Sequence, residues 1–150
     1  MVTKEPFVIL MADDDEDDIL LTKKALLKGK LLNPLQTVSN GEELLDYLLL
    51  RGAYTDKAQA PRPGVILLDL NMPKKDGREA LKEIKAHEDI KDIPVVVFTT
   101  SKAEEDIVRS YKLGVNSFIT KPVKFENLIQ VMQALGKYWF EIVELPHSAK

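Results

Sequence analysis

The chain contains no cysteine, which excludes disulfides, thiolate metal sites and cysteine nucleophiles and is compatible with a reducing compartment. It has no apolar run approaching the roughly 20 residues needed to cross a bilayer. Its N-terminus lacks the basic segment followed by an apolar one that marks an export leader. Positive charge is not in excess: the net charge is -3 and the isoelectric point is near 5.5. Lysine pairs occur, but no basic stripe, and this argues against general affinity for nucleic acid. Neither G-x-G-x-x-G nor G-x-x-x-x-G-K-[ST] follows any apolar run, which weighs against nucleotide binding. These absences leave a soluble cytoplasmic protein, without membrane association, as the expectation.

What is present fits one domain with a sizeable core, since 150 residues are 45% hydrophobic and 30% charged. The organising stretch is Val65-Ile66-Leu67-Leu68-Asp69-Leu70-Asn71-Met72-Pro73. A continuous apolar run between Gly64 and Pro73 reads as a short strand buried on both faces. It delivers Asp69 to the rim of the sheet, where the residue is either a nucleophile or metal ligand, or an ordinary Asx-turn or helix N-cap aspartate.

Four further strand signals surround it. Phe7–Ala12 is apolar and empties into the acidic run Asp13–Asp18, from which a helix starts near Asp17 with Ile19, Leu20, Leu21, Ala25 and Leu26 as its apolar stripe. Leu35–Val38 makes a second strand, and Leu44, Leu45, Leu48 and Leu49 a second helix. Residues Ala53–Gly64 form the only long polar connection, which reads as a surface insertion because too little chain precedes it for a complete parallel sheet. After the central stretch, Ala80, Leu81 and Ile84 mark helix three, and Val95–Thr99 a fourth strand. Ser101 and Glu104 have capping-box spacing, so helix four should open near Lys102, bury Ile107, Val108 and Tyr111, and stop at Gly114. Strand five is Ser117–Thr120. The last helix starts near Phe125, turns Leu128, Ile129, Met132 and Leu135 inward, and continues towards Trp139.

Five alternations of strand and helix predict an α/β architecture, with helices on both faces of a parallel sheet and right-handed crossovers. Parallel strands point their C-terminal ends at one edge, so Asp13, Asp14, Asp69, Thr99 and Lys121 become neighbours. With strand order 2-1-3-4-5, strands one and three meet at the topological switch point and leave a crevice. Three carboxylates there repel one another and raise their own pKa values unless a cation sits among them, and hard oxygen ligands suit Mg²⁺. A nucleophile, a divalent cation, a hydroxyl and an ammonium are the parts of phosphoryl transfer: Asp69 attacking phosphorus, with Lys121 and Thr99 holding its oxygens. Taken singly, Lys121 reads as a solvated loop lysine, Thr99 as an N-terminal helix residue and Asp13-Asp14 as an acidic cap.

Asp13-Asp14 after strand one, Asp69-Leu70-Asn71-Met72-Pro73 with Asp76-Gly77, Thr99 after Phe98, and Lys121-Pro122 after Phe118 together resemble the receiver domains of two-component response regulators. The resemblance covers Phe7 to Leu135 and implies a five-stranded, flavodoxin-like receiver fold. It implies that Asp69 accepts a phosphoryl group from a phosphohistidine on a sensor histidine kinase. It also implies that Asp14, Asp69 and the backbone carbonyl of Asn71 bind Mg²⁺, with Asp13 acting through water. Thr99 and Phe118 are then the switch residues, and the face of helix four, strand five and helix five carries the signal. Thr100 departs from the pattern, since a smaller residue often follows the switch threonine. The Lys121-Pro122 bond is expected to be cis by the same resemblance.

The connection Ala53–Gly64 and the tail Tyr138–Pro146 look like the small single-domain regulators that partner phytochrome-type histidine kinases. The expectation is a single receiver domain over 1–150 with an apolar C-terminal extension over 137–150 and no DNA-binding output domain. Output would pass to a downstream protein or phosphotransfer partner. Trp139, Phe140, Ile142, Val143 and Leu145 are more apolar surface than one helix end buries, favouring a homodimer contact over folding back on the sheet edge. Two rivals lose ground. A haloacid-dehalogenase-type phosphatase wants a second Asp where Asn71 stands, and Asn cannot act as that acid. An interaction module that has lost phosphorylation would lack Asp69 or Lys121, and both are present. The protein is therefore expected to be a signalling receiver that catalyses its own phosphorylation and dephosphorylation, rather than an enzyme on other substrates.

Overall fold

The computed structural model describes residues 7–100 and 103–137. Ten elements alternate: β1 (Ile9–Ala12), α1 (Glu16–Lys28), β2 (Leu35–Val38), α2 (Gly41–Leu49), β3 (Val65–Leu68), α3 (Gly77–Ala86), β4 (Val95–Thr99), α4 (Glu104–Leu113), β5 (Ser117–Thr120) and α5 (Phe125–Leu135). All strand pairs are parallel and the order is β2-β1-β3-β4-β5, as the sequence predicted. The central strands β1, β3 and β4 are buried at every position, whereas the edge strands β2 and β5 are mostly half-buried. Burial on both faces is why the central strands read as unbroken apolar runs.

The period of two sorts each strand between two cores. Leu10, Ala12, Ile66, Leu68, Val95 and Val97 face one side and pack with Leu44 and Leu45 of α2 and Ala80, Leu81 and Ile84 of α3. Ile9, Met11, Val65, Leu67, Val96 and Phe98 face the other and pack with Ala25 and Leu26 of α1 and Leu128 and Met132 of α5. Each fully buried Leu, Ile or Val contributes about 1.5–3 kcal/mol against the chain's conformational entropy. Neither layer closes without the other, because the strands are shared.

Two helix faces and one peptide bond need correction. In α1 the buried positions are Thr22, Ala25 and Leu26, while Leu20 and Leu21 are 51% and 41% exposed. The helix starts at Glu16 under an Asp15 cap, and at 3.6 residues per turn its inward stripe runs through Ile19, Thr22 and Ala25–Leu26, leaving Leu20 and Leu21 on the flank. In α4, Val108 and Tyr111 are exposed and Ile107 only half-buried, because the inward stripe is Asp106 and Ser110. Regular helix starts at Glu104, with Ala103 in the cap position and no side-chain cap bond, whereas Ser101 and Lys102 lie outside the described residues. The predicted stop at Gly114 holds, in the left-handed region that glycine favours (φ 99°). Finally, the described peptide bonds are all trans, Lys121-Pro122 included, the isomer that X-Pro bonds ordinarily prefer.

The long connection before β3 is anchored rather than loose. The Tyr47 hydroxyl donates to the Pro61 carbonyl at 2.8 Å, the Tyr54 ring packs on Tyr47, and Ala60 is buried. Among the described residues no helix is long and apolar enough to cross a membrane. The tail beyond Lys137, including Trp139, lies outside the described residues.

Gly77 opens α3 with its N–H on the Leu70 carbonyl (2.9 Å), and a Cβ there would fall 2.2 Å from the Asp69 carbonyl oxygen. The backbone after β3 must therefore move to admit any side chain. We expect Gly77→Ala to lower unfolding free energy by about 2 kcal/mol in urea titration; a midpoint equal to wild type would show that this loop yields freely.

Candidate functional site

The C-terminal edge of the sheet collects the predicted residues. Asp13 follows β1 and is fully buried, its N–H donating to the Val38 carbonyl of β2 (3.0 Å). Asp69 follows β3, is 6% exposed, and donates its N–H to the Ala12 carbonyl at 3.0 Å. Thr99 ends β4, fully buried, and Lys121 follows β5 with its N–H on the Thr99 carbonyl at 2.8 Å. Each backbone bond continues the parallel ladder one step past the strands. Rigid pairing, rather than loop flexibility, thus sets the side-chain positions.

The side chains then converge on Asp69. The Thr99 hydroxyl donates to Asp69 Oδ1 at 2.7 Å, and the Asn71 N–H donates to the same oxygen at 3.0 Å. Lys121 Nζ donates to Asp69 Oδ2 at 3.1 Å, to Asp13 Oδ2 at 2.6 Å and to Asp18 Oδ2 at 2.7 Å. Asp14 is exposed at the mouth, and carboxylate oxygens of Asp13, Asp14 and Asp69 lie within 4.8 Å of one another. Asn71 is exposed beside them. Phe118 lies one strand out, half-buried against the core on the α2–α3 side, opposite Val97 in the ladder, and its N–H donates to the Tyr111 hydroxyl at 3.0 Å. Thr100, just past the site threonine, is exposed.

Asp18 is the residue that sequence reasoning missed. It belongs to the acidic run at the start of α1, where the dipole alone accounts for a carboxylate. Its spacing carried no hint of Lys121, which is 103 residues away. A lysine contacting several acids at strand ends is a tertiary fact.

Electrostatics follow from burial. The Asp13 carboxyl is pushed up from 3.8 to about 6, chiefly by burial, against the hydrogen bonds from Lys121 and the Asp15 N–H; repulsion from Asp69 adds least. At Asp13 repulsion is therefore the smaller cause, contrary to expectation. Burial pulls the Lys121 ammonium down, but its bonds to Asp13 and Asp18 and the charges of Asp13 and Asp69 outweigh this and hold it above the usual lysine value. One ammonium contacts three carboxylates, Asp13, Asp18 and Asp69, and a fourth, Asp14, stands beside Asp13 and Asp69. Clustered hard oxygens in surplus over positive charge, open to solvent at Asp14, fit a divalent cation that keeps some water.

The sequence profile described as the response regulator receiver domain matches residues 9–133. The response regulator Rcp1 of Synechocystis sp. is 42% identical over 141 residues, covering 94% of this chain and 94% of Rcp1. The probable methanogenesis regulatory protein FilR2 of Methanothrix harundinacea is 35% identical over 136 residues, 91% of this chain and 85% of that one. Among solved structures, the phosphorylated cyanobacterial phytochrome response regulator RcpA superposes with a TM-score of 0.86 at 42% identity, covering 95% of this chain and 99% of that chain. The Mn²⁺-bound form of Rcp1 superposes at 0.84 and 42% identity, with coverage of 94% and 99%.

Because native Asp13 keeps its proton to higher pH than the unfolded chain does, ionising it opposes folding. Its contribution is most favourable below 3.8 and is lost as pH rises through about 6. A divalent cation competes with that proton. Saturating Mg²⁺ or Mn²⁺ should therefore raise the melting temperature more at about pH 7.5 than at about pH 5. Equal shifts at the two pH values would remove Asp13 from the cation's surroundings.

Proposed function

The chain belongs to the response regulator receiver family, and on that premise we propose that it is the phosphoacceptor of a two-component relay, with Asp69 the residue phosphorylated. One observation carries the reading. A nearly buried carboxylate at the end of the central strand has a hydroxyl and an N–H on one oxygen, an ammonium on the other, and two further acids within cation distance.

In this mechanism a phosphohistidine of a sensor kinase enters from the open side of the crevice, marked by Asp14 and Asn71. An oxygen of Asp69 attacks phosphorus, the O–P bond forms as the P–N bond breaks, and the donor imidazole leaves with the electron pair. Mg²⁺, held by Asp14, Asp69 and the backbone carbonyl of Asn71, with Asp13 acting through water, would supply charge neutralisation at the phosphoryl oxygens. Lys121 neutralises a further oxygen. Its ties to Asp13 and Asp18 hold the ammonium in place, so little reorganisation is needed when charge arrives. The Thr99 hydroxyl, already aimed at Asp69, turns to a phosphoryl oxygen. Hydrolysis restores the carboxylate when water attacks phosphorus: a new P–O bond forms as the bond from Asp69 oxygen to phosphorus breaks, and inorganic phosphate leaves.

Readout follows from the same bonds. As Thr99 follows the phosphoryl group, space opens beside β4, the Phe118 ring moves inward, and the α4–β5–α5 face changes shape. The Tyr111 hydroxyl on the Phe118 N–H links α4 to that movement. The signal passes to a protein or phosphotransfer partner rather than to nucleic acid. Similarity to RcpA and Rcp1 supports a phytochrome-type sensor kinase as donor. The protein acts in the cytoplasm as a signalling receiver that catalyses its own phosphorylation and dephosphorylation.

Acetyl phosphate with Mg²⁺ should add one base-labile phosphoryl group, seen as a mass increment, and Asp69→Asn should abolish it; uptake persisting in that variant would move the nucleophile elsewhere. The apolar extension over 137–150, with α5, is the proposed homodimer contact. Sedimentation should then show a dimer for the intact chain and a monomer for one cut after Gly136, and monomers in both cases would end that assignment.

A further inference from the structure

The inward stripe of α4 is polar, and its partner lies on α3. Buried Asp106 accepts two parallel hydrogen bonds from Arg78, Nε to Oδ1 at 2.8 Å and Nη2 to Oδ2 at 2.7 Å. The third nitrogen of the same guanidinium, Nη1, donates to the Leu70 carbonyl at 3.3 Å and reaches Asn71 Oδ1 and Asp76 Oδ2, each at 3.5 Å. Leu70 and Asn71 are the residues directly after Asp69, and the Asn71 N–H holds Asp69 Oδ1. One rigid planar group therefore grips both the segment that carries the phosphoacceptor and the helix assigned to the output face.

Stability alone gives little reason for this pair. A charged contact between a buried Asp106 and a one-third exposed Arg78 holds little better than an apolar pair of similar volume, and leucines would serve if α3 and α4 only had to touch. What the fork adds is direction. Its donors are fixed relative to one another, so Arg78 cannot follow Asp106 without pulling on the Leu70 carbonyl.

We propose that Arg78 is a positioning residue that ties the Asp69–Asn71 segment to α4 through Asp106, so that cation binding at the carboxylate cluster and the placement of α4 are thermodynamically linked. This rests on the function proposed for the site and runs separately from Thr99, which touches Asp69 from β4. Linkage is reciprocal: a partner that shifts α4 changes cation affinity by the same factor by which the cation changes the partner's affinity.

The test is calorimetric titration of Mg²⁺ into the full chain and its Asp106→Asn, Arg78→Met and doubly substituted variants. It is paired with the amide ¹⁵N–¹H shifts of Leu70 and Asn71 in metal-free protein. Asp106→Asn should weaken Mg²⁺ binding about tenfold, as loss of a group that orients a ligand-bearing segment does. It should also move both amide resonances without metal. The double variant should bind no more weakly than Arg78→Met alone, since the two residues act as one unit. Arg78→Lys keeps the charge on a one-third exposed side chain and tolerates folding, yet should also weaken binding, because a lysine cannot hold both ends. Wild-type affinity and unmoved amides in Asp106→Asn or Arg78→Lys, whatever their melting temperatures, would overturn the linkage alone. A wild-type chain that takes up no Mg²⁺ would overturn it together with the cation site.

Discussion

The ammonium of Lys121 is the interaction around which this structure is arranged. It reaches Asp13, Asp18 and Asp69 from a side chain only 8% exposed, so acids from three parts of the chain share one buried cation. Without it the edge of the sheet would gather carboxylates that have lost water and gained no opposite charge, a cost of several kcal/mol per ion. With it the site stays anionic overall, while Asp69 is held by Thr99 and Asn71 on one oxygen and by Lys121 on the other.

The sheet makes this arrangement possible by holding the groups apart as firmly as it brings them together. Backbone bonds from Asp13 to Val38, Asp69 to Ala12 and Lys121 to Thr99 extend the ladder beyond each strand. The two apolar layers clamp β1, β3 and β4 from both sides. A carboxylate on a flexible loop would spend binding energy on its own ordering; here that entropy is lost when the chain folds. Packing is uneven around this frame: β1, β3 and β4 are buried at every position, whereas β5 is mostly half-buried and the inward stripe of α4, Asp106 and Ser110, is polar.

That division also explains which sequence readings failed. Strand positions and the acidic site were legible because parallel strands buried on both faces write themselves as apolar runs ending in polar residues, whereas the strand order rested on the resemblance to receiver domains. Helix faces were less legible. Leu20 and Leu21 look like core residues and lie on the flank; Val108 and Tyr111 look like core residues and are exposed, while Asp106 is buried in their place. In each case the helix is oriented by what it meets in space. For α4 the neighbour is the guanidinium of Arg78, and a polar inward stripe defeats any rule that equates inside with apolar.

The sequence by itself determined the alternation of elements, the parallel sheet, and the delivery of Asp13, Asp14, Asp69, Thr99 and Lys121 to one edge, since these follow from short-range periodicity and from the rule that parallel strands share a polarity. Only the tertiary structure decided that Lys121 also takes Asp18, that burial outweighs repulsion in raising Asp13, and that Arg78 joins the Asp69 loop to α4. Those depend on distances between residues far apart in the chain and on how much water is left around them. No local pattern encodes either quantity.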